Sequence, residues 1–315
     1  MKKQILVLDE LKITKKVLKK KITKYHLVFK KFKNQNELED YSKNKNFHAI
    51  YCSFGYELNK KILSNLNNIK YIISPTTGID HIDKYYCFSK NIKIISLKGE
   101  TNFLKNVTST AEMTWALILA LARNLKDYQK DITVKKNWNR DLCFGTQLNG
   151  SSIGIIGYGR VGKIVVNYAK AFGMRILVNE RKKLRALENK SFKFTSLKKV
   201  LKCKFVSIHI PLDGNHNFFN KKLIPYISKD TIIINTSRGE IFDPKTLAYL
   251  LKKNYIFGLD VLPGDVKWKS KIPKKFHFIS KLKKTIITPH ISGNTNEARF
   301  KTTNFIIDKF LKIKK

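Results

Sequence analysis

Nine residues near the middle of the chain, Gly154-Ile155-Ile156-Gly157-Tyr158-Gly159-Arg160-Val161-Gly162, restrict its fold more than any other segment. Gly157, Gly159 and Gly162 make a G-x-G-x-x-G spacing. The first glycine of such a spacing permits a tight strand-to-helix turn. The second lets the backbone approach a pyrophosphate, and the third lets the helix pack closely on the strand. The helix N-terminus then turns its unpaired N–H groups toward phosphate charge. Alone the spacing is a weak signal. Here a β-branched run, Ser152–Ile156, precedes it, and a helical pattern, Arg160–Phe172, follows. The next run, Arg175–Asn179, ends in Glu180, 18 residues past Gly162, about where an acidic side chain binds a ribose 2′-hydroxyl. Gly157, Gly159, Arg160, Val161, Gly162 and Glu180 therefore read as a dinucleotide site. Glu180 favours NAD over NADP, because a carboxylate repels a 2′-phosphate, whereas Arg181 beside it argues the other way.

About 150 residues precede this unit, too many for a decoration, so a separate N-terminal domain is expected. Short apolar runs alternate with helical patterns almost throughout. Ile5–Leu8, Ala49–Cys52, Tyr71–Ser74 and Ile92–Ser96 read as strands before the motif. After it come Phe205–Ile210, Thr231–Asn235, Phe257–Val261 and Thr285–Thr288, with helices over Leu197–Cys203 and Pro244–Leu251. This rhythm predicts an α/β protein with parallel sheets covered by helices on both faces. Ser109-Thr110-Ala111-Glu112 fits a capping box ahead of the apolar run Met113–Ala122, which accounts for Glu112 without a catalytic role.

Composition narrows the function classes. The net charge of +40 invites a nucleic-acid or anionic-membrane partner, yet only eight of the 63 basic residues are arginine. Arginine is the residue of phosphate and base recognition. The lysines are spread along the chain among many Asn and Ile residues, all three with AT-rich codons, so a solvated lysine surface is the expectation. The N-terminal apolar run Ile5–Leu8 is too short for a signal peptide, and Met113–Ala122 is about half a membrane span. Cys52, Cys87, Cys143 and Cys203 are scattered and form no C-x-x-C pair, which points to free thiols, no metal site and a cytoplasmic protein.

Three polar groups follow strands in the second half, where open α/β sheets bind ligands. Arg238 lies in Asn235-Thr236-Ser237-Arg238-Gly239, and His290 in Thr288-Pro289-His290-Ile291-Ser292. Asp260 closes Phe257–Leu259, and Asp265 follows five residues later. Reducing a 2-oxo acid needs a cation for the carboxylate, an acid for the forming alkoxide, and a carboxylate to hold that acid. Arg, His and Asp supply the set. On position alone a surface arginine, a loop histidine and a turn aspartate fit equally well.

The residues taken together resemble the D-isomer-specific 2-hydroxyacid dehydrogenases of the phosphoglycerate-dehydrogenase-like type, from about Lys70 to Arg299. Thr77-Gly78-Ile79-Asp80-His81-Ile82-Asp83, the Asn106–Glu112 segment, Leu117 to Asn124, Ala171-Phe172-Gly173-Met174-Arg175, His209-Ile210-Pro211-Leu212 and Gly258-Leu259-Asp260-Val261 carry the resemblance with the motifs above. It implies a Rossmann-type doubly wound domain over about 106–290. A flavodoxin-like substrate domain would take 1–105, completed by 291–315, with the active site in the cleft between the two. It implies Arg238 as the substrate-carboxylate arginine, His290 as the acid/base and Asp265 as its partner, completing the catalytic set. Thr77, Gly78 and Asn106 would meet the substrate. Pro211, Thr236 and Ser237 would line the cofactor side, and Asp260 would hold the nicotinamide carboxamide. A small 2-hydroxy or 2-oxo acid is the implied substrate, NAD the cofactor and a homodimer the assembly. One position departs from the pattern: the family usually places Glu where this chain has Asp265, one methylene shorter. The rival reading is an NAD(H)-sensing corepressor-type module without turnover.

Overall fold

The computed structural model describes residues 2–141, 144–181, 185–268 and 271–313. The chain divides into two compact units. The first comprises Met1–Val107, Val266–Pro273 and Asn294–Lys315, and the second Thr108–Asp265 and Lys274–Gly293.

The first unit is built on β1 (Gln4–Val7), β2 (His26–Phe29), β4 (Ala49–Tyr51), β6 (Tyr71–Ile73) and β7 (Lys93–Ile95), all parallel, in the order β2-β1-β4-β6-β7. Two short strands, β3 (Lys45–Asn46) and β5 (Leu66–Asn67), pair with each other alone. The run Ile5-Leu6-Val7-Leu8 shows why the sheet needs helices on both faces. Ile5 and Val7 pack with Leu18, Ile306, Ile307 and Phe310, while Leu6 and Leu8 pack with Phe32, Leu38, Ile62 and Leu63. Alternate side chains point to opposite faces, and every residue of this run is buried. The C-terminal helix Asn296–Lys312 thus belongs to the first unit's core.

The second unit holds β8 (Ser152–Ile156), β9 (Arg175–Asn179), β10 (Phe192–Phe194), β11 (Phe205–Ile208), β12 (Ile232–Asn235), β13 (Ile256–Leu259) and β14 (Thr285–Ile287). Their order is β10-β9-β8-β11-β12-β13-β14, again all parallel. The direction of winding reverses beside β8, the strand that runs into the glycine motif. That is the place where doubly wound sheets hold ligands. The helix Ser109–Ala122 lays Trp115, Leu117, Ile118 and Leu121 into the same core as Ile153, Ile155, Val165 and Ile234.

Several local expectations change. β2 and β10 read as strands only in the structure. Both lie at sheet edges and are three or four residues long, and pairing such as Phe192↔Ile176 decides them. The helix expected over Leu197–Cys203 spans Leu197–Val200. The capping box does not form. Ser109 is already the first helical residue, and Glu112 Oε1 accepts the Thr108 hydroxyl at 2.5 Å instead. Glu112 keeps a structural role. Cys52, Cys87 and Cys203 are buried free thiols, and burial raises Cys87 and Cys203 to about 11. Cys143 lies outside the described residues.

Candidate active site

The glycine loop explains itself atom by atom. Gly157 has φ +95°, and a Cβ there would stand 2.7 Å from the His209 carbonyl oxygen. A Cβ on Gly162 would stand 2.1 Å from the Gly157 carbonyl oxygen, so only glycine lets the helix Arg160–Ala171 start this close to the strand. Gly159 is different. It is exposed, and a Cβ added to it would meet no protein atom within 4 Å. Protein packing does not require that glycine. Its open face suits a ligand that comes hard against the backbone, as a pyrophosphate does. No side chain caps this helix, leaving its first N–H groups for an anion. Burial holds the Arg160 guanidinium below its usual pKa, and Val161 is half-buried.

Glu180 sits at the end of β9. Its Oε2 accepts the Tyr158 N–H at 2.7 Å and its Oε1 the Arg181 N–H at 2.7 Å. The carboxylate is thereby fixed against the glycine loop. Arg181 Nη2 donates to Asn215 Oδ1 at 3.3 Å, and Asn215 Nδ2 donates to the carbonyl of exposed Pro211 at 2.8 Å.

Beside the loop, the His209 ring nitrogen Nε2 lies 2.8 Å from Ser207 Oγ. Part of the residue is exposed, but its imidazole is desolvated, which lowers its pKa from 6.5 to about 3. The unfolded chain therefore binds this proton first. The stability contributed is complete above pH 6.5 and is lost as pH falls from 6.5 toward 3. Between pH 7 and pH 5 the loss is at most about 2 kcal/mol. A His209→Gln variant should lose correspondingly less stability over that range. Equal losses in urea titrations of the two proteins would show that His209 is not the group.

Arg238 is placed by Asn235, the last residue of β12, which is fully buried. Asn235 Oδ1 accepts the Ser237 N–H at 3.0 Å and the Ser237 hydroxyl at 2.6 Å, and its Nδ2 donates to the Arg238 carbonyl at 2.8 Å. One amide thus closes the whole turn. Arg238 itself is half-buried, and its Nη1 donates to the Ser237 carbonyl at 2.7 Å. Thr236 is buried, its hydroxyl 2.9 Å from that of Thr114.

His290 adopts φ +55°, a left-handed conformation that costs a residue with a Cβ roughly 1–2 kcal/mol. Asp260 holds it there. The His290 N–H donates to the Asp260 carbonyl at 2.8 Å. Asp260 Oδ1 accepts the Thr288 hydroxyl at 2.5 Å and the Ile291 N–H at 2.9 Å, and Oδ2 accepts the Ser292 N–H at 2.8 Å. These bonds also satisfy a carboxylate that is 0% exposed, which would otherwise be costly to bury. Asp260 therefore has a structural task beside the cofactor contact expected of it. His290 Nδ1 lies 3.2 Å from Asp265 Oδ2, with the two side chains 18% and 11% exposed. The shorter acid reaches its histidine.

In the first unit, Thr77 and Gly78 lie in the loop after β6, with Thr77 exposed. The Gly78 carbonyl accepts the Thr76 hydroxyl at 2.7 Å. Asn106 is exposed, and its carbonyl accepts from Lys301 Nζ at 3.2 Å. Asn235 and Thr288 were not singled out from the sequence. Their polar side chains beside Arg238 and His290 were the available signal.

Residues 115–292 match the family model described as D-isomer specific 2-hydroxyacid dehydrogenase, NAD binding domain. The chain belongs to this family. A glyoxylate reductase of Thermococcus litoralis is 30% identical over 254 residues, covering 77% of this chain and 73% of that protein. A hydroxypyruvate reductase of Thermotoga maritima is 29% identical, covering 78% of each chain. Among solved structures, a D-lactate dehydrogenase of Aquifex aeolicus complexed with NAD and lactic acid superposes with a TM-score of 0.84 at 25% identity. That alignment covers 98% of this chain and 95% of that one. The chain is accordingly an NAD-dependent oxidoreductase of 2-hydroxy acids. Among the described residues no helix is long and apolar enough to cross a membrane, and no cluster of metal-binding side chains occurs.

Proposed function

We propose that the chain reduces a small 2-oxo acid of the glyoxylate or hydroxypyruvate kind to its D-configured 2-hydroxy acid. The reading rests on the His290–Asp265 pair at 3.2 Å, carried at the end of the sheet whose β8 leads into the glycine loop. Similarity to a glyoxylate reductase and a hydroxypyruvate reductase supports the size of the substrate. When bound, the nicotinamide supplies a hydride to C2 of the acid. Arg238 grips the carboxylate through two parallel N–H donors and polarises the adjacent carbonyl. His290 donates a proton to the carbonyl oxygen as it gains charge, and Asp265 steadies the resulting imidazole orientation. Thr77, Gly78 and Asn106, from the first unit, serve the substrate side. The first unit acts as the substrate domain and the second as the cofactor domain. Gly157, Gly159, Arg160, Val161 and Gly162 take the pyrophosphate, Glu180 the ribose, and Pro211, Thr236, Ser237 and Asp260 border the cofactor.

The test is an NADH-oxidation screen over glyoxylate, hydroxypyruvate, pyruvate, 2-oxoglutarate and phosphohydroxypyruvate. Turnover should be fastest with one of the first two. Tight NADH binding without turnover on any of them would favour a sensing module instead. NADH should exceed NADPH in kcat/KM by at least about tenfold, or 1.4 kcal/mol, because the Glu180 carboxylate, held against the glycine loop by the Tyr158 N–H, would repel a 2′-phosphate, and Asn215 engages Arg181. A preference for NADPH would remove Glu180 from its assignment.

The proposal extends to a homodimer formed through the second unit and to a cytoplasmic location. Leu125, Ile132, Val134, Trp138 and Phe144 are apolar and 44–78% exposed, clustered in one stretch of chain after the helix Ser109–Ala122. A second copy would cover them. A monomer mass by light scattering would end this part of the reading.

A further inference from the structure

Arg238 and Asp265 follow different strands, β12 and β13, yet the two loops are joined directly. Gly239 is pressed so closely onto the next loop that a Cβ there would stand 2.1 Å from the Leu262 carbonyl carbon and 2.4 Å from the Pro263 nitrogen. The following residue, Glu240, turns its carboxylate onto the same loop. Its Oε1 accepts the Gly264 N–H at 2.8 Å. Gly264 has φ +85°, and the Asp265 N–H closes the turn on the Leu262 carbonyl at 3.0 Å. Glu240 is itself tied down, since its carbonyl accepts the Asn217 N–H at 2.9 Å.

The loop that Glu240 holds carries the partner of His290. Asp265 Oδ2 accepts the Leu262 N–H at 3.2 Å and faces His290 Nδ1 at 3.2 Å. An aspartate has one methylene less reach than a glutamate. If the 262–265 loop lifted by an ångström, the side chain could not follow His290. A longer acid could absorb that slack by changing rotamer. The His290 turn is held independently by Asp260, so the distance depends on where the 262–265 loop sits.

We infer that Glu240 is a positioning residue: by hydrogen-bonding the Gly264 N–H it seats the 262–265 loop and sets the Asp265–His290 distance. The inference rests on the reading of His290 as the proton donor. It explains why a short acid suffices here, and it makes Arg238 and the His290 partner move as one piece. Loosening a catalytic group by about 1 Å costs on the order of 10²-fold in rate.

The experiment is steady-state kinetics on the whole chain with NADH and the best 2-oxo acid from the screen. Glu240→Ala should lower kcat roughly 10- to 100-fold and leave KM for NADH unchanged. Glu240→Gln keeps an acceptor oxygen for the Gly264 N–H and should stay near wild type. Adding Asp265→Glu to Glu240→Ala should recover most of the lost kcat, because the longer acid spans the slackened loop. Should Glu240→Ala not fold, Glu240→Asp takes its place, keeping the charge but losing the reach. The inference is overturned if Glu240→Ala (or Glu240→Asp) retains wild-type kcat, if Glu240→Gln is as impaired as Glu240→Ala, or if Asp265→Glu restores nothing. His290→Ala, measured alongside, separates the two claims. A fully active His290→Ala removes the reading of the histidine itself. An inactive His290→Ala with a fully active Glu240→Ala removes only the role of Glu240.

Discussion

Replacing His290 by alanine should lower kcat by roughly 10²–10⁴-fold, the usual consequence of losing a general acid/base. NADH binding, followed by fluorescence, should scarcely change, because the side chain carries no part of the glycine loop. The expectation comes from geometry. A histidine kept in a left-handed conformation by the buried carboxylate of Asp260, and paired through Nδ1 with Asp265 at 3.2 Å, is held far more firmly than a loop histidine requires. Strain of that kind persists only where the surroundings over-determine it. On the proposed mechanism the other ring nitrogen, Nε2, is the one that donates to the substrate oxygen. Asp265→Asn should fall between wild type and His290→Ala, since it keeps an acceptor but not the charge. An active His290→Ala enzyme would mean that another group supplies the proton, and the site would have to be rebuilt.

For Arg238 the expected loss is of similar size and more diagnostic. A guanidinium presents two parallel donors to a carboxylate, whereas an ammonium is a point charge. Arg238→Lys should therefore raise KM for the 2-oxo acid and also lower kcat, because polarising the carbonyl needs the fork. Arg238→Ala should be worse, by several kcal/mol of transition-state stabilisation. Both variants should fold, since Asn235 holds the turn through the Ser237 N–H and hydroxyl and the Arg238 carbonyl, contacts that remain when the guanidinium bond to the Ser237 carbonyl is lost. NADH binding should survive both changes. If neither variant differs from wild type in kcat/KM, Arg238 is a surface arginine, and the active site does not lie at the end of β12.

These two experiments address residues legible in the sequence, and the reason they were legible is local. Strands β8, β11, β12 and β13 are buried largely on both faces, so each appears as a short, mostly apolar run. The G-x-G-x-x-G spacing is likewise a property of consecutive residues, because the turn, the ligand approach and the helix contact all fall within six positions. The alternation of such runs with helical patterns was sufficient for an α/β chain with a nucleotide unit at mid-chain.

What the tertiary structure alone decided depends on residues far apart in sequence. Parallel pairing with β1 and β9, about 20 residues away in sequence, is what makes β2 and β10 strands. Glu112 looked like half of a capping box, but the helix began at Ser109 and the glutamate took the Thr108 hydroxyl. Asp260 meets Ile291 and Ser292, about 30 residues on, because β13 and β14 lie side by side. Glu240 meets Gly264, 24 residues on, because β12 and β13 do. Whether an aspartate one methylene short could reach His290 was likewise a question of where two loops sit. Residue type and local spacing establish which chemistry a chain can carry. The distances at which its groups meet are set by strand pairing and loop packing, which no local pattern encodes.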